Sequence, residues 1–299
     1  MTLIQTFFSD NLVIQVSDRR LTRSNGSVFD DEYTKLVCWN HSFAVGFTGL
    51  ARIDRSQQKS TSERIAEILS DYPVFGYGVN VLRTEVEAAI RKLPSNWDNR
   101  LAIVVAGFEG ANGPLCAEIT NFDTRTGVST DPNTFSLNVL SALPGRETGA
   151  HSAGASLTNV QMNVLGRYLP RIIGQPDGVN RAIRIMVENQ RLVAKSNNTV
   201  GSDAQCVIVP RQRTAPGMVM SNLGGPDLAT GNSSFGLFEA DGFRYKQIGP
   251  LMAHGGFVLD QFVGEADPQN PDNQSVSVRY VKVPPSWSRT NESKDRGDA

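Results

Sequence analysis

Two near-continuous apolar runs, residues 2–8 and 12–17, open the chain on either side of Ser9-Asp10-Asn11, a trio of residue types that turn a β-hairpin. Because apolar residues stand at successive rather than alternate positions, the pattern predicts a sheet covered on both faces. A second hairpin is predicted over 35–39 and 42–48, turning at Asn40-His41. After it the period lengthens to that of a helix. Ile65, Ile68 and Leu69 mark a helix within 62–70, and Val81, Leu82, Val86, Ala89 and Ile90 mark a clearer one over 79–93, which Pro94 stops. The polar stretch 52–61 before them reads as an early helical turn or a loop.

Strand patterns return at 101–108, 115–122 and 135–143, helical patterns at 155–173 and 178–194 on either side of Gly174-Gln175-Pro176, and a strand pattern at 203–210. Strands, a helix pair, strands, a helix pair and strands again imply an α+β protein. A four-layer α-β-β-α sandwich accommodates that order more economically than a doubly wound parallel sheet. This assigns a first domain to 1–215. Further β-like runs at 233–239, 243–248, 256–263 and 276–283 predict a β-rich C-terminal extension over 216–283, packed on that domain. Residues 284–299, rich in Pro, Ser and charge, read as a flexible tail.

Composition narrows the function by exclusion. The balance of 29 basic and 30 acidic side chains leaves a net charge of -1, so no global field favours nucleic acid or an anionic membrane. Three scattered cysteines, Cys38, Cys116 and Cys206, sit in apolar runs, as buried thiols do in a reducing compartment. Without paired Cys or His spacings there is no case for a metal, and the Gly-rich stretches lack the phosphate-cradling pattern, so no cofactor is expected. No cationic and apolar leader opens the chain, and the run 101–108 is too short to cross a bilayer. A cytoplasmic protein is the expectation.

The chemistry-bearing candidate is Thr2. If Met1 is removed, hydroxyl nucleophile and α-amine base belong to one residue. With the first hairpin turning through Ser9-Asp10-Asn11 so that Phe7 faces Val13 and Ile4 faces Val16, like lies opposite like, and Thr2 falls opposite Asp18. Lys35, the first lysine of the chain, is the candidate cation to favour an alkoxide-like hydroxyl, held by Asp18. Gly49, where a strand gives way to a helical region, is the candidate oxyanion donor through its backbone N–H.

Thr2, the segment Ser17-Asp18-Arg19-Arg20, Lys35 and Thr48-Gly49-Leu50-Ala51 together resemble the proteasome β-subunit family of N-terminal nucleophile (Ntn) hydrolases. The likeness is good over residues 2–52, looser to about 210, and absent from the extension. It implies an Ntn-type domain over 1–215, a threonine-type amide hydrolase acting on peptides, and a homo-oligomer. It implies further that Arg20 supports the site, and that Ser152 and Ser202 are the nearest matches for hydroxyls around the threonine's amine. Aligning 205–209 with the family's strand places Asn197 and Val200 where an Asp and a Ser are usual. Two other readings stay open on the sequence: a catalytically inactive assembly or binding module of the same fold, and an amidase of a small metabolite.

Overall fold

The computed structural model describes residues 2–31, 33–54, 56, 58–110, 113–124, 126–129, 131–140, 148–211, 219–223, 237–241, 244–267 and 269–285. Within them the chain is a mixed α+β protein. The opening hairpin, β1 (Leu3–Ser9) and β2 (Leu12–Asp18), is followed by a small ribbon, β3 (Leu21–Thr22) with β4 (Val28–Asp30). Next come the hairpin β5 (Leu36–Trp39) and β6 (Phe43–Gly49), helices α1 (Thr61–Ser70) and α2 (Phe75–Ile90), and strands β7 (Leu101–Gly107), β8 (Leu115–Thr120), β9 (Ser136–Val139) and β10 (Thr148–Gly154). A helical stretch of α3 (Asn159–Asn163), a π-helical turn (Val164–Tyr168) and α4 (Leu169–Ile172) then leads to α5 (Gly178–Ser196) and β11 (Ala204–Pro210). The chain continues through β12 (Val219–Leu223), β13 (Leu237–Asp241), β14 (Arg244–His254), β15 (Phe257–Asp267) and β16 (Asn270–Lys282).

Two sheets organise these elements. One runs β10-β1-β2-β11-β12, and the other runs β16-β15-β14-β5-β6-β7-β8-β9 with β13 beside β14. The opening apolar runs lie inside the first sheet, and their continuous apolarity is explained by what covers each side. Phe7, Ile14 and Val16 pack with Leu165, Leu169 and Met186 of the helices that follow β10. Phe8 and Val13 pack instead with Leu36, Ala44 and Val104 of the other sheet. On that sheet's remaining face Trp39, Phe43 and Phe47 meet Ile65, Leu69, Val79, Leu82 and Val86 of α1 and α2. Each such side chain, fully withdrawn from water, contributes roughly 1.5–3 kcal/mol.

The register of the first hairpin differs by one residue from the expectation. Phe7 pairs with Ile14 and Phe8 with Val13, not with Val13 and Leu12, and Ile4 pairs with Ser17. The tighter turn is held by Ser9, whose Oγ accepts from the backbone N–H groups of Asn11 and Leu12. Directly opposed residues share a face, and Phe7 and Val13 belong to different cores, so the expected pairing is impossible. By continuation Asp18 stands opposite Leu3, not opposite Thr2.

The extension meets the first domain through its sheets. Leu251, Met252 and Ala253 of β14 pair in parallel with Val37, Cys38 and Trp39 of β5, while β12 pairs with β11, so the extension lengthens both sheets. Residues 233–236 of one expected strand, 141–143 of another, and the tail beyond Pro285 lie outside the described residues. Strand β10, to which the sequence pattern assigns no element, is made of small and polar residues for a packing reason. A Cβ on Gly149 would come within 2.3 Å of the Phe8 ring.

Candidate active site

The end of β2 turns sharply around one carboxylate. Asp18 is fully buried, and its Oδ1 accepts from the N–H of Leu3 at 2.8 Å. Its Oδ2 accepts from the N–H of Arg20 at 3.0 Å, the N–H of Gly201 at 3.1 Å and Nζ of Lys35 at 3.0 Å. Three segments distant in sequence are thereby tied to one side chain, immediately behind Thr2.

Lys35, just ahead of β5, has no solvent exposure. Its Nζ also donates to the carbonyl of Arg20, and its backbone N–H donates to Oε1 of Gln205 at 3.2 Å. Burial pulls the Lys35 ammonium below its usual value of 10.5, and the adjacent Asp18 carboxylate opposes that pull. A buried ammonium persists only because the ion pair and the carbonyl replace its hydration.

Thr2 is 6% exposed, and its carbonyl accepts from Ala155 N–H at 2.8 Å and from Thr48 Oγ1 at 3.3 Å. Gly154 permits this approach. Its φ is +91°, and a Cβ there would fall 1.9 Å from the Thr2 oxygen and 2.7 Å from Thr48 Oγ1. Gly49, at φ +112°, ends β6 against the Arg100 carbonyl, which a Cβ would meet at 2.1 Å. It faces Leu101, whose N–H and C=O are both engaged by Asn121, so the Gly49–Leu101 pair carries no ladder hydrogen bonds. On its other side β5 already ends at Leu36, the partner of Gly46. The N–H of Gly49 therefore lies outside both ladders.

Thr2, Thr48 and Gly49 line one cavity of about 580 Å³, together with Arg20, Arg23, Trp97, Arg100, Phe122 and Thr199 among others. Asp18 and Lys35 stand behind this wall, not on it. Arg20 is joined to Asp31 by two hydrogen bonds, at 2.6 and 3.2 Å, and that contact chiefly raises its guanidinium pKa.

Two sequence candidates lie away from Thr2. Ser152 pairs with Gln5 in the β1–β10 ladder and directs Oγ to Sδ of Met162 at 3.5 Å. The residues that reach Thr2 are Gly154 and Ala155, two and three positions later. Ser202 is exposed, with its carbonyl accepting from Nε of Arg191 at 3.5 Å, and does not line the cavity. Thr199 does, with Oγ1 donating to Asn197 Oδ1 at 2.7 Å. Thr48, Gly201 and Gln205 were also not singled out for roles by sequence reasoning. Thr48 stands inside the motif that pointed to Gly49, whereas nothing in the sequence marks Gly201 or Gln205.

Among the described residues no group of three or more His, Cys, Asp or Glu side chains is placed to hold a metal ion, and no helix is long and apolar enough to cross a membrane. Cys38, Cys116 and Cys206 are buried thiols outside any disulfide, and burial pushes the Cys116 thiol up to about 12. No protein-family model matches the chain, and no curated protein matches it.

Proposed function

We propose that this protein is a threonine-type amide hydrolase of the Ntn, proteasome-like kind, acting on peptides with Thr2 as nucleophile once Met1 is removed. One observation carries the reading: a buried Asp18 binds both Lys35 Nζ and the amide that follows Thr2, while Thr2 and Gly49 line a single cavity. The two sheets, joined face to face by one core and each covered by helices on its outer face, form in this reading a four-layer α-β-β-α sandwich.

In the proposed reaction the freed α-amine of Thr2 takes the Oγ proton as Oγ attacks the substrate carbonyl. Lys35, with two donors spent on Asp18 and the Arg20 carbonyl, uses its third to lower the energy of the developing alkoxide. The Gly49 N–H meets the oxyanion. The protonated amine then delivers its proton to the departing nitrogen, and the C–N bond breaks to leave an ester on Thr2. Water attacks that ester, the amine again relays the proton, and the free acid leaves. A homo-oligomeric assembly belongs to the same reading.

The positions of Ser152 and Ser202, away from Thr2, favour a second reading in which the same fold is a non-catalytic binding or assembly module. Hydrolysis of fluorogenic peptides by the purified wild-type protein and by Thr2→Ala separates the two. An active wild type that loses about a thousandfold or more in Thr2→Ala supports the hydrolase. Equal rates in both proteins move the activity elsewhere, and an inert wild type supports the module.

A further inference from the structure

Three guanidinium groups line the cavity, and their partners differ. Arg20 is forked onto Asp31, and Arg100 is forked onto Asp98, at 2.8 and 2.5 Å. Each of these charges has its own carboxylate. Arg23, on the turn between β3 and β4, is held by neutral groups only among the described residues. Its Nη1 donates to Ser27 Oγ at 3.4 Å and to the Val28 carbonyl at 3.3 Å, and its guanidinium lies 4.9 Å over the Phe29 ring.

Such anchoring fixes the fork without cancelling its charge. An ordered guanidinium with no anionic partner among the described residues, lining a cavity, is suited to a carboxylate, which it can bind through two parallel hydrogen bonds. Solvent around an exposed arginine weakens a lone contact, but the cavity wall behind it and the prior loss of side-chain freedom both favour a ligand. The rest of the wall supports an extended acyl chain rather than a second charge. Trp97, Phe122 and Leu50 are apolar, and Asp98 is already committed to Arg100.

We infer that Arg23 is a specificity-determining residue that selects substrates bearing a carboxylate, so that the amides taken into this cavity are those of acidic peptides. This rests on the hydrolase reading for what happens to the amide, but not for the recognition itself.

The test therefore measures binding without turnover. Fluorescein-labelled alanine hexapeptides, each with one Glu at a different position, and their Gln counterparts are titrated against the Thr2→Ala protein by fluorescence anisotropy. At the position that reaches Arg23, the Glu peptide is expected to bind about tenfold more tightly than its Gln counterpart, as a charge-assisted contact does. Arg23→Ala removes that ratio, Arg23→Lys restores part of it, and Arg23→Glu inverts it toward Lys-containing peptides. Circular dichroism confirms that each variant is folded; the exposed position of Arg23 makes this the expected result. A Glu-to-Gln ratio of one at every position, or a ratio unchanged in Arg23→Ala and Arg23→Glu, overturns the inference. Neither outcome depends on whether Thr2 is a nucleophile, which the rate comparison above decides.

Discussion

Two lysine–aspartate pairs tie distant parts of this chain together, one just ahead of β5, in the middle of the long sheet's order, and one on β16, at its end. Lys35 and Asp18 meet at 3.0 Å with neither side chain exposed, whereas Lys282 and Asp71 meet at 2.6 Å with the side chains 26% and 52% exposed. Distance alone ranks the exposed pair as the stronger. Burial reverses the ranking, because an exposed pair competes with water, whereas removing one partner of a buried pair leaves a charge that water does not reach. Beside the cavity, Asp18 also holds three backbone amides, so the pair sets the shape of the site. At the far end, Lys282 caps α1 by donating to the Glu67 carbonyl and Ser70 Oγ as well as to Asp71, a favourable place for a cation at a helix C-terminus.

The contrast is broken most forcefully by removing the buried cation. Lys35→Ala leaves Asp18 without its counterion and is expected to cost about 3–5 kcal/mol in urea unfolding, with loss of peptide hydrolysis. Gly154→Ala tests the same region through the backbone. A methyl group 1.9 Å from the Thr2 oxygen, at φ +91°, is expected to cost about 2–3 kcal/mol and to depress the rate by moving Thr2.

A pH series sharpens the comparison. Lys35 titrates in the folded protein below its ordinary 10.5, so between that lowered value and 10.5 the unfolded chain holds more protons. Stability therefore rises with pH across that interval, and the wild type is expected to gain on Lys35→Met as pH climbs toward 10.5. Cys116 and Tyr33, both pushed up to about 12 by burial, lower stability in the alkaline range in both proteins and cancel in the difference. The smallest effect belongs to the exposed pair. Lys282→Ala is expected to cost at most about 1 kcal/mol in the same unfolding assay, and about 0.5 M NaCl is expected to shrink that cost further while leaving the Lys35 effect in place.

What the sequence disclosed follows the same division between buried and exposed. The opening hairpin, both helix pairs and strands β7 and β8 between them were legible because each buries a continuous apolar face. The register was not, since a hairpin apolar on both faces offers the same like-with-like pattern one residue out. Only the shorter turn around Ser9 and the separate destinations of Phe7 and Phe8 resolve it. Strand β10 was hidden because Phe8 demands small residues opposite it, and small residues carry no period.

Of the candidate residues read from the sequence, Thr2 and Gly49 line one cavity, and Asp18 and Lys35 stand behind its wall. Asp18 arrives there through the amide of Leu3 instead of by facing Thr2. Ser152 is turned toward Met162 by its place in the ladder, and Thr199, which lines the cavity, was not singled out because no periodicity marks a loop residue.

The proposed chemistry hangs on a single covalent fact, that the nitrogen of Thr2 is an amine and not an amide. The intact mass of the purified protein reads it directly. The expected result is a chain lighter than the full sequence by one methionine residue, with Thr2 at its terminus. A chain that retains Met1 leaves Thr2 without its base and contradicts the proposal.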